Sequence, residues 1–173
     1  MGGLFYSCVS TDIQPPRAAG FFDLKGFFDK EIEKKQKTVG TYQKTVTLDG
    51  VTETQQLTDF KVAEELKMFS DADINKTAWL DRYGVDSTFT TEGELKKITY
   101  QALREDLRTQ QLLIHFDNKI VDTIYVKQVS NNLLAGAEQI LLYVPRYGYK
   151  IENRQEITSL DPHKLSVDVV FVR

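Results

Sequence analysis

Asp71, Asp73 and Asn75 stand at alternate positions, the spacing of the first three oxygen ligands in an EF-hand calcium loop. Such a loop then needs glycine at its sixth position for a sharp turn and glutamate at its twelfth for a bidentate bond. Lys76 and Arg82 occupy those positions. Two cations stand where the site needs a turn and an anion, so the segment reads as a helix end and a turn toward Trp79. The two histidines, His115 and His163, share no ligand spacing and lie far from the lone cysteine, which leaves no zinc pattern. There is no Gly-x-Ser-x-Gly elbow and no glycine-rich phosphate cradle. Glu92, Glu94, Glu105 and Asp106 fall in expected turns, where solvated acids belong, and would matter for acid–base work only if the fold drew them into a cleft. The expectation is a protein without catalytic residues, cofactor or metal.

Binding and attachment chemistry is better represented. Tyr143, Arg146, Tyr147 and Tyr149 cluster around Pro145 and Gly148. Tyrosine and arginine bury much area and still hydrogen-bond, which suits a binding surface. The alternative is a pair of strands with half-buried tyrosines and Arg146 in the turn between them. Cys8, the only cysteine, follows Gly2-Gly3-Leu4-Phe5-Tyr6-Ser7. A bulky apolar residue three before a cysteine and a small one directly before it form the pattern a bacterial lipoprotein signal peptidase cuts, leaving the cysteine to carry the lipid. A complete signal also has a charged start and an apolar stretch of about 7–15 residues. Residues 1–8 are therefore expected to be the remnant of a lipoprotein signal peptide whose start lies upstream. A small buried cysteine and myristoylation at Gly2 are the alternatives; against the second, Tyr6 stands where Ser or Thr is due. Residues 9–19 have no apolar period and contain Pro15-Pro16, so they read as an extended tether.

These groups need a scaffold. The 173 residues, 41% hydrophobic and 27% charged, are ordinary for a folded chain, and residues 20–173 are expected to form a single globular domain. One cysteine allows no internal disulfide, so the core alone must hold the fold. A net charge of −3 gives no cationic excess to meet a phosphate backbone, so nucleic acid is not an expected partner.

Phe21, Leu24, Phe28 and Ile32 recur at helical spacing and predict a helix over 20–37. Asp49-Gly50 between two β-prone segments predicts a tight hairpin of 41–48 and 51–57, with Leu48 opposite Val51, Val46 opposite Glu53 and Lys44 opposite Gln55. Val62, Leu66 and Phe69 predict a second helix over 59–72, capped by Thr58 or Asp59. A connector carrying Trp79 follows, and 84–93 reads as a loop. Six further runs, 95–103, 107–116, 119–129, 138–144, 147–157 and 165–171, are predicted strands. The expected fold is α+β: an antiparallel meander sheet of about eight strands with two helices packed on one face.

The Phe5-Tyr6-Ser7-Cys8 start, Phe22-Asp23-Leu24-Lys25-Gly26-Phe27-Phe28, the threonine-rich hairpin and Asp71-Ala72-Asp73-Ile74-Asn75-Lys76 before Trp79 carry a resemblance over most of the chain. It resembles uncharacterised lipoproteins of Bacteroidota-type Gram-negative bacteria. The resemblance implies a lipid-anchored cell-envelope protein, in the outer membrane facing the periplasm or on the cell surface, with Cys8 as the lipidated position. It implies no activity and no ligand. Two functions stay open: a module that binds an envelope protein or supports an assembly, and a carrier or chaperone for an apolar ligand in a lipocalin-like or half-barrel fold.

Overall fold

In the computed structural model, residues 20–38, 40–59, 61–131, 135–157 and 161–172 are described. The hairpin forms as its sequence dictates. Asp49 and Gly50 both take positive φ (48° and 91°), the twist that lets a two-residue turn close without splaying its strands. Strands β1 (Thr41–Leu48) and β2 (Val51–Leu57) pair antiparallel with Leu48 opposite Val51 and Val46 opposite Glu53. Helix α1 (Leu24–Lys37) begins four residues later than expected. Asp23 caps it, its Oδ1 accepting the Gly26 N–H at 2.8 Å. A Cβ on Gly26 would come within 2.1 Å of Asp23 Oδ2, so the bare glycine is what lets the cap close. Phe21 and Phe22 stay outside the helix. The Phe22 N–H donates to the Tyr100 hydroxyl at 3.0 Å, and the Phe21 ring sits edge-on to Tyr83 and Tyr100.

Helix α2 (Val62–Ser70) starts at an N-cap formed by Lys61, without a side-chain cap bond. The expected caps Thr58 and Asp59 lie upstream of the helix, in bends. A short 3-10 turn (Thr77–Trp79) leads into β3 (Tyr83–Phe89). Then come β4 (Leu95–Ala102), β5 (Thr109–Asp117), β6 (Ile120–Asn131), β7 (Ala135–Val144), β8 (Gly148–Ile157) and β9 (His163–Val172). All pair antiparallel in one sheet, in the order β2-β1-β9-β8-β7-β6-β5-β4-β3. The meander thus runs from β3 to β9, and the early hairpin is added through β1 on β9. Since β2 and β3 are the two edges, α2 and the 3-10 turn carry the chain from one edge of the sheet to the other.

The sheet has nine strands, one more than expected, because 83–89 is a strand and not part of a loop. As an edge, β3 pairs only with β4. Four of its seven residues are exposed, and the polar run Asp86-Ser87-Thr88 interrupts the alternation of Tyr83, Val85 and Phe89 by which a half-buried strand is recognised.

Both helices cover the same face. Leu24 and Phe28 of α1 and Leu66 and Phe69 of α2 are fully buried. They meet a sheet surface built from Leu112, Ile114, Ile124, Val126, Leu141, Tyr143 and Val169. Phe28 lies 5.2 Å from Phe69 and 5.0 Å from Tyr143, ring centre to ring centre, and Phe69 lies 5.7 Å from Tyr149. Offset and edge-on contacts of this kind add to the burial of each ring.

Candidate functional site

The turn between β7 and β8 divides the four residues expected to form a binding surface. Tyr143 and Tyr149 are direct cross-strand partners on the helix-covered face, and both are buried. The Tyr143 hydroxyl donates to Glu31 Oε2 at 2.7 Å. The Tyr149 hydroxyl donates to Glu65 Oε2 at 2.5 Å, while Lys44 Nζ donates to Glu65 Oε1 at 2.7 Å. Each helix is therefore pinned to the sheet by one tyrosine–carboxylate bond inside an apolar layer. Burial, with the neighbouring carboxylate, pushes both phenols far above the ordinary tyrosine range. These two side chains fasten the helices to the sheet. The sequence signal for this was Glu31 itself, which falls three residues after Phe28 and seven after Leu24, on the apolar stripe of α1.

Arg146 and Tyr147 remain outside. They are exposed in the turn Pro145–Tyr147. The Tyr147 N–H donates to Val144 O at 2.9 Å, and the Phe171 N–H donates to Tyr147 O at 2.7 Å. Gly148 sets the direction of this turn. Its φ is 151°, and a Cβ there would lie 1.8 Å from Val169 O. Gly148→Ala must move β8 off β9 or break the pairing of Gly148 with Val170. The expected cost is about 1–3 kcal/mol or more, since backbone strain and a steric clash both contribute. Chemical unfolding of the variant measures it, and a loss under about 0.5 kcal/mol, the range of a neutral surface change, would refute this account of the turn.

Beside Arg146 lies an open groove of about 680 Å³ between the C-terminal end of α1, the β5–β6 hairpin and the β7–β8 turn. Lys34, Lys35 and Arg146 supply cations, Asp117 and Asp122 anions, and Ile120, Val121 and Pro145 an apolar floor. Lys35 Nζ donates to Pro145 O at 2.7 Å and sits 4.0 Å from the Phe171 ring centre, which ties the helix end to the turn. Lys34 approaches Glu31 Oε1 at 3.6 Å. Tyr147 projects from the same turn and is 72% exposed. A groove of both charges over an apolar floor can hold a polypeptide segment through ion pairs and side-chain burial. The hydroxyl on its lining, that of Thr38, donates to Lys34 O at 3.0 Å.

The other candidates are dispersed. Asp71 is engaged by Lys67 at 2.6 Å. Asp73 Oδ1 accepts the Asn75 N–H at 3.1 Å, and burial raises the Asp73 carboxyl above its usual range. Ala72 and Ile74 alternate with these acids and are fully buried, so the segment is a turn anchored by its apolar residues. Among the described residues no three His, Cys, Asp or Glu side chains gather closely enough to hold a metal ion. His115 Nδ1 is 3.7 Å from Asp122 Oδ2, and His163 Nδ1 is 2.8 Å from Asp49 Oδ2. Glu92 accepts from the Thr91 hydroxyl, Glu94 meets Lys119 at 3.1 Å, and Asp106 pairs with Arg104 at 2.7 Å. The Thr91 bond lowers the Glu92 carboxyl, and Arg104 lowers that of Asp106. Cys8 lies outside the described residues.

Compared with known families and with curated proteins, the chain matches no family model and no curated protein.

Proposed function

We propose that this chain is a lipid-anchored cell-envelope protein, held by Cys8, whose folded domain binds a protein partner through the groove beside Arg146 and Tyr147 and catalyses no reaction. The observation that carries the binding part is the contrast between interior and rim. The space between helices and sheet is occupied by side chains: Phe28, Leu66, Phe69 and Tyr143 are fully buried against one another. An apolar ligand would have to displace them, which argues against the carrier. The rim instead presents an exposed tyrosine and an arginine, the types favoured at protein–protein contacts. The resemblance to Bacteroidota-type lipoproteins and the Cys8 pattern support the envelope address.

The test uses the gene with its upstream codons, expressed in a Gram-negative host. Wild type is expected in the membrane fraction and Cys8→Ser in the soluble fraction. A photo-reactive side chain in place of Tyr147 is expected to capture one discrete envelope protein, and Arg146→Glu to abolish that capture. Unchanged partitioning of Cys8→Ser would refute the anchor. Stoichiometric lipid in the purified domain, with no capture at position 147, would replace the partner-binding reading by the carrier.

A further inference from the structure

The two edges of the sheet are built differently, and the difference points to a second copy of this chain. Edge β3 carries Asp86 at its centre and a bulge between Thr88 and Phe89. A charge and a bulge are two of the devices by which proteins keep an edge from pairing. In the register of fullest antiparallel overlap, β3 would also set Asp86 against its own copy, and like charges directly opposite are unfavourable.

Edge β2 has no bulge, no proline and no lysine. Every residue from Val51 to Gln56 is exposed, and Val51, an apolar side chain, is 70% exposed. Leu48 and Val51 flank the two-residue turn, so they form a hydrogen-bonded pair, and the pairs alternate along the ladder. Glu53, Gln55 and Leu57 therefore bond to β1, while the backbone groups of Thr52, Thr54 and Gln56 point outward.

We propose that the chain self-associates through β2, two copies pairing antiparallel about a two-fold axis at Thr54 so that one sheet runs through both. The strand reads Val-Thr-Glu-Thr-Gln-Gln-Leu, and about its centre it is complementary to itself. Val51 falls opposite Leu57 of the second copy and is covered by it. Thr52 falls opposite Gln56. Glu53 falls opposite Gln55, whose amide donates to the carboxylate, so the only charge on the strand meets a neutral donor. Thr54 meets Thr54, and hydroxyl pairs are already the pattern one strand inward, where Thr45 meets Thr54 at 3.0 Å and Thr47 meets Thr52 at 2.9 Å. The contact is isologous and closes at two copies.

The test uses the full chain with Cys8→Ser. At the axis, residue 54 forms a hydrogen-bonded antiparallel pair with a Cα separation of about 5.5 Å, within the range a disulfide spans. Thr54→Cys is therefore expected to yield a covalent dimer on mild oxidation. Gln43→Cys on β1 is the control; it lies one strand further in on each copy and opposite Gln56, so its pair is separated by more than three strand spacings of ~4.8 Å and is expected to stay unlinked. Sedimentation equilibrium is expected to show a concentration-dependent dimer. Thr54→Pro, which removes an outward N–H that β1 does not use, should lose that dimer, and so should Thr54→Asp, which sets two carboxylates on the axis. Unchanged thermal melting of either variant at a concentration where wild type is monomeric separates lost pairing from lost folding. A wild type that stays monomeric at every concentration, with no covalent dimer from Thr54→Cys, would overturn the proposal. So would a dimer that survives both substitutions, or equal linking through residues 43 and 54.

Discussion

Phe28→Ala is expected to lower stability by about 3–5 kcal/mol and Leu66→Ala by about 2–5 kcal/mol. Melting of a chain this size shifts by about 2–4 °C per kcal/mol, so Phe28→Ala should melt roughly 6–20 °C lower. The magnitude follows from how little the surroundings can close on the void. Phe28 is fully buried, with Phe69 and Tyr143 against its ring. Tyr143 cannot swing into the space without giving up its bond to Glu31, and Phe69 is held on its other side by Tyr149. Denaturant unfolding of wild type and both variants measures the effect. If both truncations left stability unchanged while a bound lipid was lost from the purified protein, these side chains would line a cavity, and the partner-binding function would give way to the carrier.

What the sequence made legible, and what it hid, separates along the same physical lines. The hairpin was readable to its register because Asp49-Gly50 fixes a local geometry that the flanking strands must follow. The helix stripes Leu24/Phe28 and Val62/Leu66/Phe69 were readable because their burial is periodic. The union of β1 with β9 was not, since nothing local in 41–48 names a partner more than a hundred residues on. Strand β3 was missed because the polar run Asp86-Ser87-Thr88 interrupts the alternation of Tyr83, Val85 and Phe89, as an edge strand largely exposed to solvent allows. For the tyrosine cluster the sequence left two readings open, one surface or two strands with a turn between them. Proximity to Pro145 and Gly148 suggested one surface, whereas the two-residue period puts Tyr143 with Leu141 and Tyr149 with Ile151 on the buried face. Only Arg146 and Tyr147, within the turn, escape that alternation.

Raising the pH above about 10, the ordinary tyrosine pKa, is expected to unfold the protein steeply. Tyr143 and Tyr149 are neutral and buried, and both phenols are pushed upward by loss of hydration and by the carboxylates of Glu31 and Glu65. Tyr83, whose hydroxyl donates to Thr109 O at 2.8 Å, is pushed up to about 12 by burial. A group whose folded pKa exceeds its unfolded one stabilises the fold fully below the unfolded value and loses that contribution as pH rises toward the folded value. Above about pH 10 the unfolded phenols ionise while the folded ones keep their protons, so each costs about 1.4 kcal/mol of stability per pH unit. Tyr143 and Tyr149 together give about 2.7 kcal/mol per unit, and Tyr83 adds to this until about pH 12. Two pH units then remove about 5 kcal/mol from these two residues alone, comparable with the whole stability of many domains. Tyr143→Phe is expected to cost about 1–3 kcal/mol near neutrality, because Glu31 loses its buried donor, and to halve the slope that the pair produces above pH 10. Denaturant titrations across the alkaline range, read by circular dichroism together with tyrosinate absorbance, test both statements. Tyrosinate from all the core phenols appearing while the fold stays intact would show that Glu31 and Glu65 do not hold buried, protonated partners, and the account of how the two helices are fastened to the sheet would fall.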